Sequence, residues 1–392
     1  MFRKSIVFVL FLAVAVQAQQ ADWPTGSPKS VGLDEKALAA FDAELASDKF
    51  GNIDGLTIIR HGKLVFDKRY ARDYDKIYGE DAKKEGPLNA HDPSGPYNYY
   101  SAWWHPWYQR GDMHTLQSVS KTITSIIVGV ARTRGDFPDI DTPVLNYFDA
   151  AKVQNVDDRK RRMTIRHLLT MSAGLDWNEG LPYSDPKNTG SQMEASLDWV
   201  EYTINRPMAF EPGKTFAYNS GATQILAHVF RAATGMDIEE YAVRNLFTPL
   251  GIKQHFWKRS PSGLVDAEGG FYLRPRDVAK LWQLFLNGGK WQGKQIVSPE
   301  WIKDSLTPHM DLGPNAKYGL KWWLYPYGKD NKLTVWSGNG FGGQLPMVFP
   351  EYDMVVVYTA WNVNPGPVLR RRDAIDRLTA LVTDPPGRER SR

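Results

Sequence analysis

The sequence predicts an α/β fold of the α+β kind, with one antiparallel sheet flanked by helices. Three observations predict it: short apolar or alternating runs near both ends of the chain, helical periodicity through the middle, and a final helical pattern. Strands at both ends around a helical middle mean one sheet assembled from the two termini. With 392 residues, 42% hydrophobic and 12% aromatic, the chain can bury a large core, either as one domain of two lobes or as two closely packed domains.

The first element is a secretory signal over residues 1–18. Arg3 and Lys4 precede an apolar run, Ile6 to Val16, that is too short to span a bilayer, and Val16-Gln17-Ala18 offers small residues for cleavage. No other stretch has transmembrane character, so residues 19–392 are expected in a bacterial periplasm or outside the cell, without a stable membrane anchor. The chain has no cysteine, which excludes a disulfide framework, cysteine catalysis, thiolate metal sites and a lipidated cysteine. Losing Arg3 and Lys4 lowers Lys+Arg from 48 to 46 against 44 Asp+Glu. A net charge of about +2 gives no nucleic-acid signature. The run Arg159 to Arg162 and the 385–392 tail are basic but short, as solvated surface is.

Leu33 to Ala46 carries an amphipathic helix pattern. Leu56 to Ile59, His61-Gly62 and Lys63 to Phe66 then form strand, tight turn and strand. Residues 72–112 are polar and punctuated by Pro and Gly, a long loop or insertion. Tyr97, Tyr99, Tyr100, Trp103, Trp104, Trp107 and Tyr108 crowd it; we read them first as a staple holding the loop to the body, and second as an apolar lip over a pocket. Helices dominate from Thr115 to Asn245, among them Ile165 to Met171, capped by Thr164, then Ser220 to Thr234 and Ile238 to Phe247. His167, among leucines, is read as structural. Asp277 to Leu286 is a further helix. Tyr318 to Tyr325, Leu333 to Ser337, Gln344 to Phe349 and Met354 to Thr359 are strands, and Val368 to Val382 the last helix.

The chemistry centres on Leu116 to Gly135. Ile123, Ile126, Ile127, Val130 and Ala131 recur at helical spacing, which predicts a core helix with one buried face, ending at Arg132, Arg134 and Gly135. Ser118 and Lys121 at its start lie on one face. A serine needs a base to become a nucleophile, and a lysine serves as one only if its pKa is pulled well down, as burial at a helix N-terminus would do. The same helix end offers free N–H groups to an oxyanion. Alone the S-x-x-K pattern is weak, expected about once by chance in such a chain. Its second copy, Ser184 to Lys187, lies among Pro, Gly, Asp and Asn and reads as loop.

Two further stretches strengthen it. Glu211 to Gly221 runs from a Pro-Gly turn through Tyr218, Asn219 and Ser220 into a helix, and Val335 to Gln344 runs from a strand into a glycine-rich turn. With S-V-S-K at 118–121, R-H-L-L-T-M-S-A-G-L at 166–175, P-G-K-T-F-A-Y-N-S-G at 212–221 and G-G-Q-L-P-M-V-F-P-E at 342–351, the chain resembles the serine β-lactamase and penicillin-binding-protein superfamily, nearest its class C β-lactamase, D-aminopeptidase and family VIII esterase branch. The resemblance implies a β-lactamase/transpeptidase-like fold with an α/β lobe, about 30–114 and 266–384, an all-α lobe, about 115–265, and a site between them. It implies Ser118 as acylated nucleophile, Lys121 assisting its deprotonation, and Tyr218 as acid/base, its pKa lowered by the neighbouring ammonium.

Two positions depart from the pattern. Ser220 stands where the family often has Asn, and its hydroxyl is expected to bond the lysine or a substrate carbonyl. Trp336-Ser337-Gly338 stands where β-lactamases and peptidases carry K/H-T/S-G, so no cation is expected there for a substrate carboxylate. The N–H near Asn339 is the expected second oxyanion donor. The function expected is a serine hydrolase acting on esters or small amides, with no cofactor or metal. The eight histidines form no H-x-x-x-H or H-E-x-x-H pair, and no G-x-S-x-G elbow is present. The alternatives are a β-lactamase or D-amino-acid peptidase and a non-catalytic ligand-binding module. Oligomeric state is left open.

Overall fold

The computed structural model describes residues 22–86, 88, 97–105, 107 and 111–384. The signal at 1–18, Tyr108 and the 385–392 tail lie outside the described residues. Eight strands form one antiparallel sheet: β1 (Ile53–Arg60), β2 (Lys63–Arg69), β3 (Met310–Asp311), β4 (Lys317–Tyr318), β5 (Trp323–Tyr327), β6 (Leu333–Ser337), β7 (Leu345–Phe349) and β8 (Met354–Ala360). Their order, β2-β1-β8-β7-β6-β5-β4-β3, pairs β1 from the start of the chain with β8 from its end. The α+β architecture and the sheet built from both termini are therefore those expected. His61 and Gly62 both take positive φ, as the two-residue β1–β2 hairpin requires.

Five helices position the rest: α1 (Glu35–Ala46), α2 (Val119–Arg134), α3 (Ser220–Thr234), α4 (Pro275–Leu286) and α5 (Arg371–Ala380). Alternation along β8 sorts its side chains between two cores. Val355 and Val357 join α2 and α4 in one; Met354, Val356 and Tyr358 join α1 and α5 in the other. Both β1 and β8 are buried along their whole length, as strands covered by helices on both faces are.

Three elements differ from expectation. Helix α2 is buried on all sides from Val119 to Ala131, not on one face. Its polar residues are satisfied by neighbouring backbone: Thr122 Oγ1 donates to Lys321 O at 2.8 Å, Ser125 Oγ to Leu320 O at 2.7 Å and Thr124 Oγ1 to Ala267 O at 3.0 Å. The expected strand 318–325 is two strands, β4 and β5, parted at Lys321, whose φ of 63° leaves strand geometry. The expected helix 238–247 changes from α-helix at Ile238–Ala242 to a π turn at Val243–Phe247. His167 is structural as read, its Nδ1 accepting from Thr164 N at 3.0 Å.

Candidate active site

The backbone before Ser118 is fixed by the strand His114–Thr115, which pairs with Phe271–Leu273. Gln117 then takes φ 48°, a left-handed conformation uncommon outside glycine, and turns the chain so that Ser118 occupies the N-cap of α2. One helical turn on, Lys121 Nζ donates to Ser118 Oγ at 2.8 Å. The ring of Tyr218 lies 5.2 Å from the Lys121 ammonium. The structure thus brings Ser118, Lys121 and Tyr218 together.

The electrostatics differ from those read off the sequence. Burial alone would depress the Lys121 pKa, but the Glu268 carboxylate, with Tyr218 and Glu179, outweighs it and holds the lysine well above its ordinary value. Glu268 Oε2 accepts from Nζ at 2.7 Å and Glu268 O at 2.9 Å. The Glu268 contact thus favours the ammonium form of Lys121, whereas a general-base lysine needs a lowered pKa. Burial also raises the Tyr218 hydroxyl above its usual value, more than the nearby ammonium lowers it.

The remaining expected residues divide. Ser220 lines the cleft, but its Oγ donates to Glu179 Oε1 at 2.6 Å, not to Lys121. Asn219 serves as N-cap of α3, accepting from Ala222 N at 2.8 Å. Ser337 is buried, its Oγ within hydrogen-bond reach of Gly338 O and of Pro346 O at 2.8 Å, so its hydroxyl is spent inside the sheet. Gly338 N donates to Pro346 O at 3.2 Å, which removes it as an oxyanion donor. Trp336 is half-buried on the α2 core. Among the described residues, the amides of Ser118 and Asn339 have no hydrogen-bond partner. The turn bearing Asn339 abuts Ser118's segment: Gly338 lies against Val119, and Gly340 against Leu116 O.

The beta-lactamase family model matches residues 52–381. The chain belongs to the beta-lactamase family. Over 280 residues it is 27% identical to the 6-aminohexanoate-dimer hydrolase of Paenarthrobacter ureafaciens, covering 66% of this chain and 68% of that protein. A family VIII carboxylesterase structure superposes with TM-score 0.60 at 15% identity, covering 88% of this chain and 96% of that one. The penicillin-binding protein from Bacillus halodurans does so with TM-score 0.60 at 16% identity, covering 89% and 100%.

In this beta-lactamase-family chain several residues of the site escaped the sequence reading. Ser118 opens into a narrow cleft walled by Tyr99, Tyr183, Phe341, Glu194 and Glu268. The aromatic insertion is stapled as read, Tyr99 stacking on Trp361 and His105, yet Tyr99 is also a wall of the cleft and donates to Glu194 Oε1 at 2.6 Å. Glu179 accepts from Trp177 Nε1, Tyr183 Oη, Ser220 N and Ser220 Oγ, which fixes the start of α3. Of these only Glu268 stood near a legible signal, the A-E-G-G turn before a strand. No helix among the described residues is long and apolar enough to cross a membrane, and no group of three or more His, Asp or Glu among them could hold a metal ion.

Proposed function

We propose that this protein is a secreted or periplasmic serine hydrolase that cleaves neutral esters or small amides through an acyl-enzyme on Ser118. The observation that carries this reading is the 2.8 Å contact of Lys121 Nζ with Ser118 Oγ, at a helix N-terminus that opens into a cleft. In the proposed cycle the minor phenolate fraction of Tyr218, whose hydroxyl burial raises above its usual value, takes the Ser118 proton while Oγ attacks the carbonyl carbon. The Ser118 and Asn339 amides bind the oxyanion, and Tyr218 returns the proton to the leaving group. Water then attacks the acyl-enzyme with Tyr218 again as base, and Ser118 regains its proton. Acidic walls and a tryptophan at position 336 favour substrates without a carboxylate near the reacting carbonyl. The amide named for the Paenarthrobacter relative keeps amides within the expected class.

The test compares a short-chain p-nitrophenyl ester with a cephalosporin on wild type and Ser118→Ala. The expected result is ester turnover at least about 100-fold above cephalosporin turnover, and a loss of about 10³-fold or more in the variant at unchanged Tm. Comparable cephalosporin turnover would assign a β-lactamase or peptidase, and substantial activity in Ser118→Ala would sink the mechanism. Export is checked by the mass of the extracytoplasmic protein, expected to begin at Gln19.

A further inference from the structure

Glu268 is joined to the nucleophile's helix by more than its side chain. In the turn 266–270, Gly269 N donates to Asp266 Oδ1 at 2.8 Å and Gly270 N to Asp266 O at 3.1 Å. Thr124 Oγ1 donates to Ala267 O at 3.0 Å, Gln224 Oε1 accepts from Ala267 N at 3.1 Å, and Ser120 Oγ accepts from Phe271 N at 3.1 Å. The turn is thereby tied to α2 at Ser120, Lys121 and Thr124 and to α3 at Gln224. The Glu268 carboxylate accepts from the Lys121 ammonium while lining the cleft. A glutamate so placed does more than fill space. It fixes the charge and the direction of the lysine beside the nucleophile.

Resting on the hydrolase reading, we propose that Glu268 is a positioning residue of the reaction, keeping Lys121 an ammonium aimed at Ser118 Oγ throughout the cycle so that the serine proton passes only to Tyr218. The groups facing Lys121 are Ser118 on its own helix, Tyr218 ahead of α3, Glu268 and Asp266 on the 266–270 turn, Glu179, and Lys321 between β4 and β5. Glu268 is the one carboxylate of this set whose side chain bonds Nζ. Lys321 shows what a buried lysine does without such a partner: among the described residues its Nζ has one hydrogen-bond acceptor, Met171 Sδ at 3.3 Å, and burial beside Lys121 pushes its pKa well down.

The experiment is the pH profile of kcat/KM on a short-chain p-nitrophenyl ester for wild type, Glu268→Gln and Glu268→Asp, each also titrated with a fluorophosphonate and weighed. Wild type is expected to lose no activity on the alkaline side up to about pH 10, because the lysine stays charged. Glu268→Gln is expected to lose about 10- to 100-fold at its optimum and to gain an alkaline limb at least about two pH units lower. Glu268→Asp is expected to keep the wild-type limb at a reduced rate, and with the wild-type profile it carries the test if Glu268→Gln does not fold. A Glu268→Gln profile matching wild type, or a wild-type alkaline limb below about pH 9 that Glu268→Asp leaves in place, overturns the role of Glu268. If wild type also fails to take the phosphonate on Ser118, the hydrolase reading falls, and this one with it.

Discussion

Lys121 and Lys321 are two buried lysines that feel one another's charge, and their neighbours set them opposite tasks. Lys121 meets Glu268 and stays charged; Lys321 meets a thioether and is driven toward the neutral amine. A sequence displays both as lysines, and the partner that decides the matter lies 147 residues from Lys121. Ser118 and Lys121 were legible because their spacing is local, and Glu268 was not because its contact is tertiary. Asp266 yields a prediction at this scale. Burial, reinforced by Glu268, raises its pKa from 3.8 to about 7. Between those values the folded chain holds a proton that the unfolded chain has released, so stability from this group falls as pH rises through that window and levels above it. Asp266→Asn keeps an acceptor for Gly269 N and removes the titration. Its Tm relative to wild type is expected to climb from pH 4 to about 7 and then level; Tm curves parallel across that range would contradict the assignment.

At the scale of elements, patterns that close within one segment were read well. Ser220–Thr234 and Leu333–Ser337 have the expected bounds, because each carries its own start and stop residues. The polar positions of α2 misled, since Thr122, Thr124 and Ser125 imply a solvated face when their hydroxyls in fact bond backbone carbonyls of other segments. The proposed oxyanion pair likewise depends on two elements meeting, the turn after β6 and the segment before α2. A Cβ on Gly340 would stand 2.4 Å from Leu116 O and 2.8 Å from Gln344 Cβ, so no side chain fits there without parting the two. Gly340→Ala is expected to destabilise the fold by about 1–3 kcal/mol and to lower kcat more than it raises KM, because Asn339 N is moved from Ser118. Denaturant unfolding and ester kinetics check both. An unchanged kcat in a destabilised variant would separate that turn from the chemistry.

For the whole molecule, one sheet joins strands from both ends of the chain, and α2 runs buried between the sheet's helical cover and the helices around α3. That placement brings first-turn residues of α2 to a cleft walled by the insertion (Tyr99), by the segment ahead of α3 (Tyr183, Glu194), by the 266–270 turn (Glu268) and by the turn after β6 (Phe341). The sheet's assembly could be read from where strand patterns fell. The cleft could not, because its walls come from four separate segments whose proximity no periodicity encodes. Acylation of Ser118 is checked by the intact mass of the mature protein after incubation with a phosphonate ester, an acyl ester and a penicillin, with Ser118→Ala alongside. An acyl-enzyme on Ser118 predicts adducts from the phosphonate and the acyl ester, none from the penicillin, and none at all in the variant. Well-folded protein that takes no adduct on Ser118 would contradict it and leave a ligand-binding module, and a long-lived penicillin adduct would move the chain to the penicillin-binding side of its family.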